Sequence, residues 1–346
     1  MSSSHSRGLD HGQATIRAAA LAPLAEFIAA STKGCDAFFA SQGLPRTSIS
    51  DPYAQTSLAR YVDTFEKAAD LISAPDLGLQ IGMRIKPADL GPMGVLFSIS
   101  PNLRVAFDRL SRHGMALQDG TQSSVYEVGP DLVWTYRLAD ISIWPRRQDA
   151  EYTLAAVCQL VRSSFSADWR PHELHFEHDS QTDRALLHRA FRAPVLYNQS
   201  ANRIIFAQSD AARQYRAEDG GLAQILERHI GDLISQSRSP ESISDQLRRI
   251  IGLWLGQRPI TLATMAAELR MSPRSLQRRL SEEGTSLRHL LREHRENLAQ
   301  TLLRQKSARV SNVANALGYA DSTVFWRAFR NWTGQQPSAV HSVESD

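Results

Sequence analysis

The feature that most constrains this chain is a short pattern that occurs twice near its C-terminus. Residues 265–280 and 313–329 each predict a helix, a tight break and a second helix. The corresponding positions are Ala266 and Leu269 with Ala314 and Leu317 before the break, and Leu276, Arg278 and Leu280 with Phe325, Arg327 and Phe329 after it. Two helices joined by a short turn can place the second helix in the major groove of DNA. The repeat therefore predicts a DNA-binding module.

The charge distribution separates this module from the rest of the chain. Between residues 246 and 341 there are 15 Lys and Arg against 6 Asp and Glu, whereas the remainder holds 24 against 30. A basic segment attached to an acidic body is typical of a module that binds a polyanion. A length of 346 residues predicts two domains.

Cysteine content and hydropathy bear on location. The two cysteines, Cys35 and Cys158, have no metal-binding spacing and suit a reducing compartment. Residues 1–13 are polar and lack the apolar core of a signal peptide, so we expect a disordered tail there. No run of about 18 apolar residues occurs. These features predict a cytoplasmic protein without a membrane segment.

Residues 14–207 predict an α+β domain, with helices packed on a small sheet. Apolar residues at helical spacing predict helices over Ala14–Thr32, Asp36–Ser41, Ser57–Ser73, Leu77–Ile85, Asn102–His113, Arg147–Phe165 and Thr182–Phe191. β-rich runs predict strands over Ser123–Val128, Leu132–Leu138, Glu173–Glu177, Pro194–Tyr197 and Arg203–Phe206. The first two strands flank Gly129-Pro-Asp131, which favours an antiparallel hairpin.

Residues 208–240 predict a linker region. Residues 208–221 are polar and irregular, and Leu222–Ser235 forms an amphipathic helix with a narrow apolar face. That face fits a dimer or domain contact, and packing onto its own domain fits it equally. The polar stretch 235–241 then leads to an all-helical DNA-binding domain over residues 241–346, which opens with a helix at Ser244–Leu255.

The first helix-turn-helix unit, residues 261–283, carries the stronger candidate for base recognition. Thr261 can cap the first helix, and Ser272 followed by Pro273 begins the second. Arg274, Gln277 and Arg278 share one face of that second helix. Arginine pairs with guanine and glutamine with adenine in the major groove, so we expect this face to read bases. We expect Arg279 beside them to contact phosphate.

The second unit, residues 310–333, turns at Gly318-Tyr319, and Asp321 is a natural N-cap. Ser322, Thr323 and Arg327 lie on its exposed side, and Ser311 and Arg330 are candidate phosphate contacts. Because serine and threonine discriminate bases less sharply, we expect this half mainly to position the protein on DNA.

A linker helix over residues 286–306 joins the two units. At about 1.5 Å per residue, its 20 residues from Leu287 to Lys306 would span roughly 30 Å, close to the roughly 34 Å of one DNA turn. His294 lies on its apolar face, and we interpret it as a packed histidine rather than a ligand.

These residues carry a family resemblance over about 95 residues. The segment from Ser272 to Gly284, Leu317-Gly-Tyr319 and the pattern from Phe325 to Pro337 resemble the AraC/XylS-type transcriptional regulators. The resemblance implies two helix-turn-helix units on a linker helix, with base contacts at Arg274, Gln277, Arg278, Ser322, Thr323 and Arg327. Two positions depart from the pattern. Arg270 stands where a turn glycine is common, and Arg309 or Ser311 opens the second unit without a clear N-cap.

The N-terminal half resembles the arabinose-binding-type effector and dimerisation domain of one branch of these regulators. The matching segments are Leu77–Gly82, Leu90–Gly94 with Ser98–Leu103, and Phe191–Val195. The resemblance implies that this half senses a small-molecule effector and forms a homodimer, without naming the ligand.

Other classes of function find less support. His172, His175 and His178 are three apart on a predicted strand, and their spacing is one residue short of the His-Glu-x-x-His zinc pattern. No phosphate loop, dinucleotide fingerprint or nucleophile elbow occurs.

We therefore expect an effector-responsive transcription activator that is not an enzyme, uses no metal or cofactor, and binds double-stranded promoter DNA and RNA polymerase. The alternatives are a repressor of the same fold, an enzyme domain fused to a DNA-binding module, and an architectural DNA binder without a ligand.

Overall fold

The computed structural model describes residues 14–51, 54–114, 118, 120–179, 184–235, 242–305 and 309–337. The predicted tail, residues 1–13, and residues 236–241 of the predicted linker lie outside these ranges. The described residues form an α+β N-terminal unit followed by an all-helical C-terminal unit, which confirms the predicted fold class.

The first strand of the chain corrects one prediction. Residues 14–32 were predicted as a single helix, but Thr15–Arg17 form strand β1, which pairs antiparallel with β2 (Gln55–Ser57). A 3₁₀ turn at Ala18–Leu21 follows, and helix α1 occupies only Ala22–Ser31. Pro23 lies in the first turn of α1, where a missing N–H costs nothing. The local sequence does not indicate β1, because its partner strand β2 lies 40 residues away in the sequence.

Two of the helices between α1 and the main sheet begin at a residue whose side chain caps them. The helices of this region are α2 (Cys35–Ser41), α3 (Arg46–Ser50), α4 (Leu58–Leu71), α5 (Leu77–Gly82), α6 (Gly91–Ile99) and α7 (Leu103–His113). The Ser57 hydroxyl accepts a hydrogen bond from Arg60 N, and the Asn102 side chain accepts one from Val105 N. The predicted helices at Ser57–Ser73 and Asn102–His113 are thereby confirmed.

Three short helices were not predicted. Helix α6 contains Gly91, Pro92 and Gly94, which disfavour a helix, but it buries Met93, Leu96 and Phe97 in the core. Helix α3 has only five residues. Helix α10 (Gln208–Ala212) lies in the stretch predicted to be irregular and buries only Ala211. In α6, tertiary packing outweighs local propensity.

The main sheet has the strand order β3-β4-β7-β5-β6. Its strands are β3 (Thr121–Val128), β4 (Asp131–Leu138), β5 (Glu173–His175), β6 (Val195–Leu196) and β7 (Asn202–Ala207). The predicted hairpin of β3 and β4 is confirmed, with Thr121 opposite Leu138 and Val128 opposite Asp131. Pairs β4–β7 and β7–β5 are antiparallel, whereas β5–β6 is parallel.

Helix α8 (Arg147–Ser164) forms the centre of the N-terminal core, and α5 lies directly against it. A Cβ atom on Gly78 would lie 2.1 Å from the Gln148 carbonyl oxygen, and one on Gly82 would lie 2.5 Å from the Tyr152 carbonyl oxygen. Only glycine permits this approach of the two backbones. The core side of the sheet, with Leu132, Trp134, Tyr136 and Leu138 of β4, faces the same cluster.

After the sheet come α9 (Arg184–Phe191), then α11 (Gly220–Ser235), and then the C-terminal helices. These are α12 (Ile243–Trp254), α13 (Leu262–Glu268), α14 (Pro273–Glu282), α15 (Leu287–Leu303), α16 (Val310–Ala316) and α17 (Ser322–Thr333). The predicted caps Thr261, Ser272 and Asp321 each accept a hydrogen bond from the backbone N–H three residues on. The described part of α15 ends at Leu303, three residues before the predicted end.

Each helix-turn-helix unit has its own apolar cluster. The first cluster includes Leu247 and Ile251 of α12 and Leu276 of α14, and it extends to Tyr126 and Val133 on the outer side of the main sheet. The second cluster joins α15, α16 and α17, with Leu302, Phe325 and Phe329 fully buried. The C-terminal unit therefore packs on the side of the sheet opposite the N-terminal core.

Candidate DNA-binding surface and effector cavity

Helix α14 presents the predicted base-reading residues to solvent. Leu276 and Leu280 are buried beneath it, while Arg274, Gln277, Arg278 and Arg279 are all exposed. The cap at Ser272 and the proline at Pro273 fix where this helix begins. The structure thus brings Arg274, Gln277 and Arg278 to one exposed surface of suitable chemistry for base edges.

One partner within this surface was not predicted. Arg278 Nε lies 3.8 Å from Glu282 Oε1, one helical turn later, and both side chains are largely exposed. Exposed pairs of this kind contribute little to stability. The Arg278 guanidinium therefore remains available to other acceptors.

The turns before the two recognition helices differ at one residue. Arg270 has φ of +53°, the left-handed conformation, as has the corresponding turn residue Gly318 with φ of +75°. Arg270 therefore takes the backbone conformation for which glycine is common at this turn, as its position in the sequence pattern suggested. The second predicted departure is also confirmed, because Arg309 precedes α16 without a side-chain cap.

Helix α17 presents a second exposed face. Phe325 and Phe329 are buried, whereas Ser322, Thr323, Arg327 and Arg330 are exposed. The Arg330 guanidinium lies over the Trp326 ring at 5.5 Å, and Ser311 is exposed on α16. The candidate phosphate contacts Arg279, Ser311 and Arg330 are therefore all accessible.

Arg295 fastens the second unit to the linker helix, a role that the sequence did not reveal. Its Nε donates a hydrogen bond to the Leu317 carbonyl oxygen at 3.0 Å, and its guanidinium lies 4.7 Å from the Tyr319 ring centroid. Both contacts hold the turn of the second unit against α15. The linker helix, with 17 residues and a length of about 26 Å, sets the spacing of the two units.

His294 connects the C-terminal unit to the N-terminal unit instead of packing only within its own domain. Its Nε2 lies 2.9 Å from Arg137 Nη1 on β4. Burial, and secondarily the charges of Arg137 and Arg295, hold the pKa of His294 well below its usual value. The neutral ring can accept a hydrogen bond from the arginine.

A buried ionic cluster surrounds this contact. Arg146 Nη2 lies 2.9 Å from Glu177 Oε2, and Arg137 Nε lies 3.7 Å from Glu177 Oε1. Burial lowers the pKa of Arg137 to about 10, although Glu177 opposes that shift. Arg203 Nη2 donates to the carbonyl oxygen of Leu255, at the end of α12, at 2.9 Å. A side chain of the sheet thus supplies the hydrogen bond that a backbone carbonyl of the C-terminal unit needs.

A cavity of about 430 Å³ lies on the opposite side of β4, and we call it the β4–α8 cavity. Trp134 and Tyr136 of β4, with Tyr152 and Val157 of α8, form much of its wall. Helix α11 contributes His229, Ile230 and Leu233. The Tyr136 hydroxyl donates to Asp149 Oδ2 at 2.7 Å, and burial raises the pKa of Asp149 to about 6. No local pattern in the sequence indicates this cavity, because its wall comes from many elements.

The amphipathic helix α11 is buried on one side and exposed on the other. Ala223 and Ile230 are buried in the N-terminal core, whereas Leu222 and Ile225 are 40% and 66% exposed. The predicted packing onto its own domain is therefore present, and an apolar edge remains accessible.

The three histidines of the 172–178 segment have separate partners. His172 Nδ1 lies 2.8 Å from Asp131 Oδ1, His175 Nε2 lies 2.5 Å from Glu173 Oε1, and His178 Nδ1 lies 2.8 Å from the Asp179 carbonyl oxygen. Across the residues that the structure describes, no group of three His, Cys, Asp or Glu side chains could hold a metal ion. None of the helices described in this chain is long and apolar enough to cross a membrane.

Two protein families match the chain. Residues 34–215, more than half of the chain, match the N-terminal arabinose-binding domain of AraC transcription regulators. Residues 265–342 match a helix-turn-helix domain.

Individual known proteins are also similar to this chain. An uncharacterized HTH-type transcriptional regulator of Mycobacterium tuberculosis is 47% identical over 78 residues, which are 22% of this chain and only 23% of that protein. The HTH-type transcriptional regulator VirS of Mycobacterium tuberculosis is 24% identical over 288 residues, 81% of this chain and 83% of VirS. The crystal structure of the transcriptional regulator CdpR from Pseudomonas aeruginosa aligns over 80% of this chain and 91% of CdpR, with 20% identity and a TM-score of 0.40.

Proposed function

The chain belongs to the AraC-type transcription regulators with an N-terminal arabinose-binding domain, and on that premise we propose that it is an effector-responsive activator that binds specific double-stranded DNA. The observation that carries this proposal is the pair of helix-turn-helix units on α15, each with a polar, exposed recognition face.

The two recognition faces have unequal roles. Arg274, Gln277 and Arg278 on α14 offer side chains that can make bidentate contacts to guanine or adenine. On α17, Ser322, Thr323 and Arg327 offer a smaller and less discriminating set, which favours positioning of the second unit. Arg279, Ser311 and Arg330 contact the phosphates that flank these faces, and each is exposed.

In this proposal an effector bound in the N-terminal unit shifts a pre-existing equilibrium between arrangements that differ in DNA affinity. The N-terminal and C-terminal units share β4 as a common wall, which supports such coupling. The bound protein is a homodimer that recruits RNA polymerase to a promoter in the cytoplasm.

Substitution of Arg278 tests the DNA-binding role. We expect Arg278→Ala to weaken specific binding by about 1–3 kcal/mol, because it removes one bidentate contact to a base. Binding would be measured by fluorescence anisotropy on duplexes that the wild-type protein selects from a random-sequence pool.

The matched control is Arg189→Ala, which removes one exposed arginine from α9 in the N-terminal unit. It changes the net charge equally and should leave the affinity unchanged. Equal affinity of Arg278→Ala and wild type, with unchanged circular dichroism, would refute the base-reading role of α14. A promoter-reporter strain would distinguish activation from repression.

A further inference from the structure

The β4–α8 cavity has a wall that is poorly suited to a sugar. Its interior side chains are mainly aromatic and aliphatic, including Trp134, Tyr152, Val157 and Ile230. Each hydroxyl of a buried sugar would need a hydrogen-bond partner to replace water. A volume of about 430 Å³ falls within the roughly 300–1,000 Å³ of pockets that enclose most of a small ligand.

The cavity nevertheless carries unused hydrogen-bond donors. Trp134, Thr121 and Gln118 line it. Trp134 Nε1, the Thr121 hydroxyl and Gln118 Nε2 are buried and have no hydrogen-bond partner among the residues that the structure describes. Trp134 is only 2% exposed, and an indole N–H can donate but not accept. By contrast, the Tyr136 hydroxyl already donates to Asp149. The complementary ligand group is therefore an acceptor such as a carbonyl or ether oxygen.

The charged groups of the cavity lie towards solvent. Among the described residues that line it, the side chains that can carry charge are Arg17, Asp89 and His229. Asp89 and His229 are exposed, and Arg17 is half-buried. An ionised ligand group placed among the aromatic residues would be desolvated without a buried countercharge. The buried part of the ligand is therefore uncharged.

We propose that the β4–α8 cavity is the effector site and that it takes an uncharged, largely apolar small molecule with one hydrogen-bond acceptor, rather than a sugar. This assignment rests on the effector-responsive function proposed above. It adds the place of binding and the chemical class of the ligand.

The position of the cavity gives the ligand two routes to the C-terminal unit. Along β4, side chains alternate between the two sides of the sheet. Trp134 and Tyr136 line the cavity, while Arg137 contacts His294 and Thr135 Oγ1 lies 3.1 Å from the hydroxyl of Tyr126. Tyr126 belongs to the apolar cluster of the first helix-turn-helix unit. Helix α11, the last described helix before the C-terminal unit, supplies the other wall.

Dye displacement from the full chain tests the ligand class. The probe is the neutral fluorophore N-phenyl-1-naphthylamine, whose emission rises in an apolar site. Acetophenone should displace it at about three- to tenfold lower concentration than ethylbenzene, which has nearly the same shape but no acceptor. Benzoate and L-arabinose should displace it least. Displacement by L-arabinose at a lower concentration than acetophenone would overturn the assignment.

Substitutions locate the binding site. Thr153→Phe on α8 and Ala20→Phe near the chain start fill the cavity from two different walls, and both residues are half-buried. Each should abolish the dye signal, whereas Leu71→Phe, on an exposed position of α4, should not. Wild-type dye binding by both filling variants, with melting temperatures retained, would overturn the location.

The donors have their own test. Thr121→Val removes the hydroxyl with little change of shape, whereas Trp134→Phe removes the indole N–H together with one ring. Each should reduce the preference for acetophenone over ethylbenzene, and in Thr121→Val ethylbenzene should displace the dye as from wild type. An unchanged preference in both variants would overturn the role of the donors.

DNA affinity, measured on the same protein preparations, distinguishes a failure of this inference from a failure of the proposed function. If wild type binds its selected DNA and the dye but acetophenone and ethylbenzene compete equally, the ligand class is wrong and the DNA-binding proposal stands. If acetophenone competes as expected but leaves DNA affinity unchanged, the cavity binds such a ligand and the effector-responsive function fails.

Discussion

At the residue scale, the two turns of the repeat differ by a backbone strain that can be measured. Arg270 and Gly318 both adopt a left-handed conformation, which glycine tolerates far better than arginine. Arg270→Gly should therefore raise the free energy of unfolding by about 0.5–1 kcal/mol, after allowing for the greater entropy of glycine in the unfolded chain. The urea midpoint of the full chain would report the change.

Two further variants separate strain from side-chain loss. Gly318→Ala should lower the free energy of unfolding by about 1 kcal/mol. Its new Cβ would make only ordinary van der Waals contacts, the nearest at 3.6 Å, but the residue would keep an unfavourable φ. Arg270→Ala removes the same side chain as Arg270→Gly and keeps the strain. If Arg270→Ala stabilises the protein as much as Arg270→Gly, the backbone explanation is wrong.

Residue periodicity was sufficient to predict which side chains of the recognition helices are exposed. Burial of Leu276 and Leu280 leaves Arg274, Gln277 and Arg278 outside by helical geometry alone. The contact between Arg137 and His294 was not predictable in this way. It joins a strand to a helix 157 residues later, and nothing in either local sequence specifies the partner.

At the element scale, helix α11 has an exposed apolar edge that fits a homodimer interface. Ile225 is 66% exposed and Leu222 is 40% exposed on a helix whose other side is buried. Burying such side chains in an interface removes apolar surface from water. Ile225→Asp should therefore convert a dimeric wild type to monomer, measured by sedimentation velocity of the full chain.

A matched substitution controls for charge on the surface. Leu71→Asp places the same charge at an apolar residue of α4 that is 51% exposed. It should leave the sedimentation coefficient unchanged. A monomeric wild type, or a dimer that persists in Ile225→Asp, would contradict the role of α11.

Elements with local signals were predicted well, and those that depend on distant partners were not. The β3–β4 hairpin has turn residues between two β-rich runs, and α7 has a cap and an apolar face. Strand β1 instead depends on β2, and α6 depends on burial of Met93 and Phe97. The β4–α8 cavity was not predictable for the same reason, because the residues of its wall are spread from Ile16 to Leu233 along the chain.

At the scale of the whole molecule, one sheet separates two environments. Its inner side contributes to the cavity wall, and its outer side holds the ionic cluster of Arg137, Arg146 and Glu177 against the C-terminal unit. Both recognition faces remain exposed in this docked arrangement. Regulation of DNA binding would therefore act by changing the relative orientation of the two helix-turn-helix units rather than by covering them.

The contact between the N-terminal and C-terminal units, made by Arg137 and His294, should weaken as the pH falls. The pKa of His294 is held well below the 6.5 of a free histidine, chiefly by burial and then by Arg137 and Arg295, so protonation favours the state in which this ring is released. The stabilisation is fully present above about pH 6.5 and decreases below it. Between pH 8 and pH 5.5, wild type should lose up to about 1.4 kcal/mol relative to His294→Gln, whose neutral amide can still accept from Arg137.

Urea titrations of both proteins at pH 8 and pH 5.5 would measure this difference. Burial also lowers the pKa of His175, and that of His178 to about 4, but these groups contribute equally to wild type and variant and cancel. His188→Gln, at an exposed position of α9, is the matched control and should lose as much stability as wild type between the two pH values. If His294→Gln loses as much stability as wild type on acidification, the neutral histidine does not hold the two units together.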